Sequence, residues 1–347
     1  MGYRAVLTDP GEARASLIRL WRANLKSHGD AAAKLDWLYL DGPAGRAEVF
    51  VLRDDEHPVG CAGITVRELW HHDRPLRAAL LADFAVDRAH RTGFPALILQ
   101  RSVKRHVDAA FDLSYGFPNA SAVAIHRRIG YRELGVMTRY VRVLRHGPYL
   151  ERRFARGVAR IAGAVIDAAK LAVRLARTVA PSRRSALRWL DDVDPRFDRL
   201  WQATRGAYGI ACRRDAAFLR WRFLRKPGER NVIATLVGRS TDELRAYAVV
   251  GGAAGGMATL LDLYGELDAI GELLTLLMPA LYARGHTAVG VRFLGDPRMS
   301  ALLATQRFSV RDHNRVVIVN AGASCPIDRA ILEDAAAWYL TDLDEDT

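Results

Sequence analysis

The chain has 347 residues, with 51 basic and 39 acidic side chains and a formal net charge of +12. This length allows two domains of ordinary size, each with its own hydrophobic core. Three widely spaced cysteines predict neither a disulfide framework nor a CxxC metal site, so we expect a reducing, cytoplasmic compartment. The sequence shows no apolar signal-peptide segment and no uncharged run of membrane-spanning length. We therefore expect neither a signal peptide nor a membrane-spanning helix.

The positive charge alone would favour a nucleic acid or an anionic membrane as partner. However, only five of the 51 basic residues are lysine, which indicates a bias in genome composition rather than a binding surface. We therefore expect no nucleic-acid partner, although the charge suits an anionic cofactor.

The first half of the chain predicts alternating strands and helices. Two apolar runs, "EVFVL" and "GCAGITV", flank the polar turn "RDDEHP" and predict a hairpin over residues 48–66. A short apolar run at 79–86, interrupted only by Asp83, predicts a buried strand. We expect a helix at 94–110, a strand at 111–117, a second helix at 119–130 and a pair of strands at 131–144 to follow.

A basic glycine turn joins the strand at 79–86 to the next helix. Residues 90–102, "HRTGFPALILQRS", place a Thr-Gly pair and a proline before apolar residues at helical spacing. Proline is tolerated at the first position of a helix, so we predict a helix from about Phe94 to Ala110. Such a turn directs backbone N–H groups and the positive helix end outward, which suits a phosphate group. Turns of this kind are common, and this one alone does not establish a phosphate site.

The second half repeats the order of elements found in the first. Residues 37–52 and 221–236 align without a gap and are identical at five of sixteen positions. Trp37 thereby aligns with Trp221, 184 residues later. We therefore predict an α/β fold with a mixed sheet, made of two copies of one domain. The second copy is expected to begin with a hairpin at 232–250, a strand at 257–264 and a helix at 269–284. A strand at 287–293, a helix at 297–306 and a strand at 315–319 are expected to follow.

A long amphipathic basic segment separates the two copies. Apolar residues of 151–180 recur at steps of three and four, and basic residues interrupt them from other faces. We favour a connecting helix packed on one domain, with peripheral contact to an anionic membrane as the alternative. The predicted organisation is an N-terminal domain over residues 1–147, a helical linker over 148–190 and a C-terminal domain over 191–347.

The first half resembles the GCN5-related N-acetyltransferases (GNAT), and the duplication resembles their tandem members. The resemblance covers residues 3–145, and residues 190–320 less closely. The central signature of the family is a strand followed by Arg/Gln-x-x-Gly-x-Gly/Ala and a helix, where backbone amides hold the pyrophosphate of acyl-CoA. Gly93 falls on the fourth position of this motif, His90 occupies the first, and Pro95 replaces the final small residue.

The resemblance implies which residues contact the acyl-CoA. In the family, a backbone N–H of the central strand polarises the thioester carbonyl, and the turn amides bind the pyrophosphate. Because Pro95 lacks one of those amides, the side chain of Arg91 is expected to contribute. The residues implied as acyl-CoA contacts are Phe84, Ala85, Val86, Arg91, Thr92, Gly93, Phe94 and Asn119.

A second family signature, Asn-x-x-Ala-x-x-x-Tyr-x-x-x-Gly-Phe/Tyr, fits the segment from Asn119 to Tyr131. His126 occupies the position of the family's tyrosine. Two motifs in the right order are more specific than either alone. The second copy has no basic glycine turn, and Glu266 and Asp268 would repel a pyrophosphate. We therefore expect a structural or substrate-shaping role for that copy.

Direct acyl transfer requires a neutral amine, a polarised carbonyl and a protonated leaving thiolate. Asp83 is a candidate base, because a lone carboxylate in an apolar strand has a tunable pKa; the alternative is an ion pair with a nearby arginine. For the acid, His126 is favoured by position and Tyr115 by chemistry. We favour Tyr115, because the flanking Arg127 and Arg128 favour a solvent-facing position for His126.

Two further clusters receive structural interpretations. "HHD" at 71–73 resembles a metal site, but adjacent strand residues point apart, so we expect a solvated loop and no metal. "FLRWRFLR" at 218–225 combines charge and aromatic rings, as surfaces that bind single-stranded RNA do. Because Trp221 repeats Trp37, we expect this segment in the core instead.

The sequence therefore predicts a cytoplasmic N-acyltransferase that uses acetyl-CoA or another acyl-CoA and no metal. Its acceptor would be a primary amine of a small molecule, such as an amino sugar or an amino acid. One alternative is an aminoacyl-tRNA-dependent transferase of the FemAB type, which is also built from tandem GNAT-like domains. A second alternative is a non-catalytic GNAT-like binding protein. The sequence does not determine the acyl chain length or the oligomeric state.

Overall fold

The computed structural model describes residues 2–25, 29–91, 94–146 and 184–346, with isolated positions between 167 and 178. The predicted connecting helix at 151–180 lies almost entirely outside the described residues, so both interpretations of it stay predictions. Within the described residues, no helix has both the length and the apolar character needed to cross a membrane.

The first half contains strands β1 to β6 and helices α1 to α4. In chain order they are β1 (Tyr3–Thr8), α1 (Arg14–Asn24), α2 (Ala31–Lys34) with a π-helical turn (Leu35–Leu40), β2 (Glu48–Asp54), β3 (His57–His71), β4 (Arg74–Val86), a 3-10 turn (Arg88–His90), α3 (Phe94–Ala110), β5 (Leu113–Gly116), α4 (Ala120–Arg128) and β6 (Arg132–Val143).

The second half contains strands β7 to β14 and helices α5 to α9. They are β7 (Ser185–Leu190), α5 (Pro195–Thr204), β8 (Ile210–Cys212), α6 (Ala216–Leu219) with a π-helical turn (Arg220–Leu224), β9 (Val232–Gly238), β10 (Leu244–Gly251), β11 (Met257–Gly265), α7 (Leu267–Ala283), β12 (Ala288–Gly295), α8 (Pro297–Thr305), β13 (Ser309–Ala321), α9 (Arg329–Leu332) and β14 (Trp338–Leu340).

The predicted α/β fold with a mixed sheet is confirmed. α3 begins and ends at the predicted residues, and both hairpins form at the predicted turns. The pair of strands predicted at 131–144 is wrong, because this segment forms the single strand β6. Strands β1 and β7 were not predicted, and β7 lies inside the range interpreted as linker.

The aligned tryptophans of the two copies contact each other. Trp37 Nε1 donates to the carbonyl of Trp221 at 2.8 Å, and Trp221 Nε1 donates to the carbonyl of Trp37 at 2.9 Å. The two rings stack with centroids 5.3 Å apart. Phe218, Trp221 and Phe223 are all buried, so the core position predicted for this aromatic segment is confirmed.

Each half contributes one strand to the sheet of the other half. β5 of the first half pairs with β13, and β12 of the second half pairs with β6. β6 and β13 also pair with each other, antiparallel, from Arg132 opposite Val319 to Val141 opposite Ser309. The resulting strand order is β1-β2-β3-β4-β5-β13-β6-β12-β11-β10-β9-β7.

Two short strands close a ring at the junction of the halves. β8 pairs with β3, and β14 pairs with both β8 and β12. Together with β4, β5, β13 and β6, these strands form a closed circuit, and closure leaves fewer unpaired strand edges. Helix α3 covers one face of the first-half sheet, while the opposite face carries α1, the π-helical turns and the second half.

We expect Trp37→Phe and Trp221→Phe each to lower the free energy of unfolding by about 1–3 kcal/mol, because each change leaves a buried carbonyl without its donor. The double variant should cost less than the sum of the single variants, since both hydrogen bonds depend on one stacked geometry. Urea unfolding measures these values. Val310→Ala, at a half-exposed side chain, is the control and should stay within about 0.5 kcal/mol. Single variants as stable as this control would contradict the expectation.

Candidate functional site

The candidate site lies where β4 and β5 separate. These parallel strands pair only between Ala78–Leu81 and Leu113–Gly116. β5 ends at Gly116, whereas β4 continues to Val86. In the described part of the chain, Ala82–Val86 has no partner strand on the β5 side. A cleft results, with backbone N–H and C=O groups along one wall.

A β-bulge bends β4 where this cleft begins. The register between β3 and β4 shifts between Cys61 and Gly63, so that Asp83 and Phe84 together lie opposite a single residue of β3. Asp83 has φ +48°, a left-handed conformation that is uncommon outside glycine. Bulges increase the local twist and redirect side chains. Here Asp83 points toward α2 and Phe84 toward α4.

Both carboxylate oxygens of Asp83 are occupied. Lys34 Nζ lies 2.7 Å from Oδ1, and the hydroxyl of Tyr39 donates to Oδ2 at 2.9 Å. Burial raises the pKa of Asp83, and Lys34 only partly offsets this effect. Burial alone would lower the pKa of Lys34, but the neighbouring Asp83 carboxylate raises it, so the lysine stays charged. The ion-pair interpretation of Asp83 is therefore what the structure shows, with lysine rather than arginine as the partner.

The sequence reasoning missed Lys34 and Tyr39. At the repeat offset of 184 residues, Lys34 aligns with Phe218 and Tyr39 aligns with Phe223. The first copy is therefore polar at two positions where the second copy is apolar. This difference inside an aligned segment, at one of only five lysines, was the signal that could have identified the pair.

His126 lies on α4, at the other side of the cleft. Its buried ring meets Phe84 edge-on, with centroids 6.3 Å apart. Nδ1 lies 2.9 Å from the carbonyl oxygen of Ala122, and because that oxygen can only accept, we assign the proton to Nδ1. Nε2 is buried and has no hydrogen-bond partner among the described residues. Burial lowers the pKa of His126, so a neutral imidazole with an unused acceptor lies beside Phe84.

Tyr115 is fully buried and faces the junction of the two halves. Its hydroxyl donates to the carbonyl of Asp344 at 3.4 Å, and its ring lies 6.1 Å from that of Trp338. Burial raises the pKa of Tyr115 well above its ordinary value. These contacts argue against the preference for Tyr115 over His126, because they direct its hydroxyl toward the C-terminal residues. The catalytic role of either residue stays a prediction.

The turn before α3 is described only in part. Thr92 and Gly93 lie outside the described residues, so the phosphate cradle stays a prediction. Arg91 Nε donates to the carbonyl of Val86 at 2.8 Å, and its Nη2 donates to Asn24 at 2.7 Å. Arg91 thus fastens the turn to the end of β4 and to α1. Phe94 is exposed at the start of α3.

Asn119 and His90 have structural partners. Asn119 Oδ1 accepts from the backbone N–H of Ala122 at 3.0 Å and so caps α4. His90 Nδ1 lies 2.9 Å from the hydroxyl of Tyr3 on β1. Both contacts position the elements that border the cleft.

The corresponding gap in the second half is filled. β11 and β12 pair over Met257–Leu260 and Ala288–Val291, and β14 occupies the space beyond. The hydroxyl of Tyr339 donates to the carbonyl of Leu263, and Gly295 pairs with Tyr339. Gly295 has φ +147°, and a side chain there would collide with the backbone of β14. The C-terminal strand therefore occupies the place that stays open in the first half.

Solved structures share the fold of this chain. A protein from Enterococcus faecalis V583, described as a conserved protein of unknown function and a probable N-acyltransferase, superposes with a TM-score of 0.66 at 13% identity, covering 93% of this chain and 74% of that one. A GCN5-related N-acetyltransferase from Anabaena variabilis ATCC 29413 gives 0.63 at 13% identity, covering 92% and 73%. A tandem GNAT protein from the clavulanic acid biosynthesis pathway gives 0.52 at 16% identity, covering 94% and 100%.

The chain has the tandem GNAT fold. No protein-family model and no curated protein matches its sequence. The duplication inferred from the aligned tryptophan segments is also present in the structure.

Within this tandem GNAT fold, Asp262 is the counterpart of Asp83. Each lies three residues before the end of its strand, at Gly265 and Val86 respectively. Asp262 accepts from the hydroxyls of Tyr247 and Thr341, at 2.7 and 2.8 Å, and pairs with Arg214. The side chains of Asp262 and Arg214 are fully buried, whereas that of Lys34 is 22% exposed. The first ion pair therefore reaches solvent through its lysine, whereas both members of the second pair are enclosed.

The turn at 71–73 joins β3 to β4, as predicted for "HHD". His72 and Asp73 are exposed. Among the residues that the structure describes, no group of three or more His, Cys, Asp or Glu could hold a metal ion.

We expect Lys34→Met to lower the free energy of unfolding by about 3–5 kcal/mol, because the enclosed Asp83 carboxylate loses its cation. The double variant Lys34→Met/Asp83→Asn should recover much of this loss. Urea unfolding at neutral pH measures both. Arg4→Met removes the exposed Arg4–Glu56 pair and should change stability by no more than about 1 kcal/mol. If Lys34→Met changed the free energy of unfolding as little as Arg4→Met, the pair of Lys34 and Asp83 would not be a buried interaction.

Proposed function

We propose that the chain is an N-acyltransferase that moves an acyl group from acyl-CoA, most simply acetyl-CoA, to a primary amine of a small molecule. The observation that carries this proposal is the contrast between the two clefts. The first keeps an unpaired strand edge at Ala82–Val86, and the second is filled by Trp338–Leu340. The tandem GNAT fold and the printed descriptions of the similar structures support the same activity.

The residues around the first cleft fit a bound acyl-CoA. An unpaired strand edge offers N–H and C=O groups to the amide-bearing arm of the coenzyme, as it would to an added strand. The cleft adjoins the N-terminus of α3, whose positive end suits the pyrophosphate. Arg91 adds a positive charge beside the end of β4. One cleft thus presents groups for both parts of the coenzyme.

His126 is the residue we assign to proton transfer. An ammonium acceptor loses two protons overall: one leaves to solvent before attack, and the other leaves the nitrogen after it bonds to the thioester carbonyl. Nε2 of His126 takes the second proton and returns it to the thiolate when the C–S bond breaks. A buried histidine gives up a proton readily, because burial disfavours the charged imidazolium.

Asp83 is better suited to positioning than to proton abstraction. Burial raises the pKa of Asp83, but the hydrogen bonds from Lys34 and Tyr39 stabilise the carboxylate and make it a weaker base than burial alone would. The cluster instead fixes the bulge, and the bulge sets the direction of Phe84 and the strand edge beyond it.

Acyl-CoA binding depends on the turn before α3. We expect Gly93→Glu to abolish measurable acetyl-CoA binding in calorimetry, because a carboxylate would repel the pyrophosphate. Gly265 in the second copy is unsuitable as a control, since it has φ +144° and a side chain there would meet the carbonyl of Arg245. Gly206→Glu is the matched control, because an added side chain meets no atom within 4 Å. Unchanged affinity in a folded Gly93→Glu variant would refute the cradle.

The same measurements separate the alternatives. Acyl-CoA binding by the free protein would argue against an aminoacyl-tRNA-dependent transferase. Turnover with acetyl-CoA and a panel of primary amines would exclude a non-catalytic binding protein.

Proton transfer is tested by comparing His126→Phe with Tyr115→Phe. We expect His126→Phe to lower kcat by about 10²–10⁴ while acyl-CoA affinity stays nearly unchanged, because the proton is transferred only during the reaction. Tyr115→Phe should keep most of kcat, since its hydroxyl contacts Asp344 instead. Loss of kcat in Tyr115→Phe alone would reverse the assignment.

The pH dependence gives a second readout of the same assignment. His126 must be neutral to accept a proton, so kcat should be retained above its pKa and fall below it. Because burial lowers this pKa, the fall should occur at a lower pH than histidine ordinarily titrates. This fall should be missing from the residual activity of His126→Phe.

A further inference from the structure

Arg67 on β3 is a buried guanidinium with unused hydrogen-bond donors. It is 2% exposed, and its Nη1 donates only to the carbonyl of Val66, at 3.3 Å. Nε and Nη2 have no hydrogen-bond partner among the described residues. These two nitrogens form one edge of the guanidinium, the pair of donors that binds both oxygens of a carboxylate. The edge that best suits a planar anion is therefore the unused one.

The carboxylates near Arg67 are engaged by other arginines. We define the C-terminal segment as residues 341–346. Three of its four acidic side chains form the pairs Asp342–Arg292, Asp344–Arg214 and Glu345–Arg315. Arg67 forms no ion pair within the described residues. A desolvated guanidinium without an anion is costly, so this position favours the arrival of a negatively charged group.

Two aromatic rings and the carboxyl group of Asp344 lie near Arg67. Its guanidinium carbon lies 5.0 Å from the ring centroid of Trp221 and 5.9 Å from that of Phe218. Asp344 Oδ1 is also buried and has no partner in the described part of the chain. Arg67 is close enough to Asp344 to lower the pKa of that carboxyl, although burial raises the pKa overall. Unused donors and an unused acceptor thus lie in one buried region.

This region lies on the same sheet face as the Asp83 cluster. The hydroxyl of Tyr39, which binds Asp83, lies against Gly63 of β3. Arg67 is four residues farther along β3, and alternate strand residues share a face. At 3.3 Å per residue the two positions are about 13 Å apart. An extended molecule of moderate length could therefore contact both.

We propose that the unused edge of Arg67 binds a carboxylate of the acceptor, whose amine lies at the bulge end of the cleft. The acceptor class is then an amine with a carboxylate at the far end of an extended chain, such as an ω-amino acid or a short peptide. This inference rests on the proposed function, because it names the acceptor of that site. Arg222 holds the C-terminal segment over this region through the carbonyls of Asp342 and Leu343, so binding requires the segment to shift.

The test compares two probes that differ only in the distal group, ω-aminooctanoate and ω-aminooctanol. We expect ω-aminooctanoate to raise the Tm of the full chain and to bind about tenfold or more tightly than ω-aminooctanol. Arg67→Met should lose this Tm shift. Arg132→Met, at an exposed arginine on β6, should keep it. Equal shifts with both probes, or a shift retained in Arg67→Met, would overturn the proposal.

A second variant tests the proposal if Arg67→Met does not fold. Arg67→Lys keeps the charge but presents a single ammonium instead of a two-donor edge, so it should bind ω-aminooctanoate more weakly than the native chain. Native affinity in Arg67→Lys would contradict bidentate recognition.

Turnover separates this inference from the proposed function. Acetylation of both probes with equal KM in the native chain would refute the Arg67 site and leave the acyltransferase intact. Absence of acetyl-CoA binding would refute the proposed acyltransferase activity. The Tm shift caused by ω-aminooctanoate would still show whether Arg67 binds a carboxylate. A lower KM for ω-aminooctanoate than for ω-aminooctanol, lost in Arg67→Met and kept in Arg132→Met, would support both.

Discussion

The antiparallel pairing of β6 with β13 is the contact on which the rest of the molecule depends. β6 belongs to the first half and β13 to the second, and each pairs with a strand of the other half. Neither half has a complete sheet without the other. The stacked pair of Trp37 and Trp221 joins the halves a second time, inside the core. The predicted boundaries therefore describe a repeat in the sequence, whereas the structure is one continuous sheet.

This shared sheet contains two equivalent clefts with different contents. In the second half, β14 fills the cleft, and Asp262 is enclosed by Arg214 and Thr341. In the first half, the cleft stays open beside Asp83, and its lysine partner reaches the surface. Filling one cleft with the chain's own C-terminus adds buried contacts at the junction. The open cleft lacks such contacts, and it thereby leaves space in which a ligand can bind.

Local features were predictable because they depend on short stretches of sequence. The start of α3 follows from a glycine turn and a proline, and the hairpins follow from polar turns between apolar runs. Gly135 lies within the segment that was predicted as two strands. In the structure it makes room for Leu294 within the single strand β6. A glycine required by packing and a glycine required by a turn look the same in a sequence.

Features that depend on distant contacts were not predictable. The exchange of β6 and β13 leaves no periodic signal, and β14 is only three residues long. At the site, the unusual position of Asp83 was predicted, but its partner Lys34 lies 49 residues earlier. The orientation of Tyr115 depends on Asp344, 229 residues later in the chain. His126 was identified through the resemblance, because the family motif carries information about contacts between residues that are far apart in the chain.

The strand exchange also determines when the chain can finish folding during its synthesis. β5 ends at Gly116, but its partner β13 ends at Ala321. At ribosomal rates of about 5–20 residues per second, the intervening stretch of roughly 200 residues takes about 10–40 seconds to make. Throughout that interval one edge of β5 has no native partner, and unpaired edges are where nascent chains associate with one another. The protein therefore completes its central sheet only after β13 has been made, and it most needs protection by chaperones before that point.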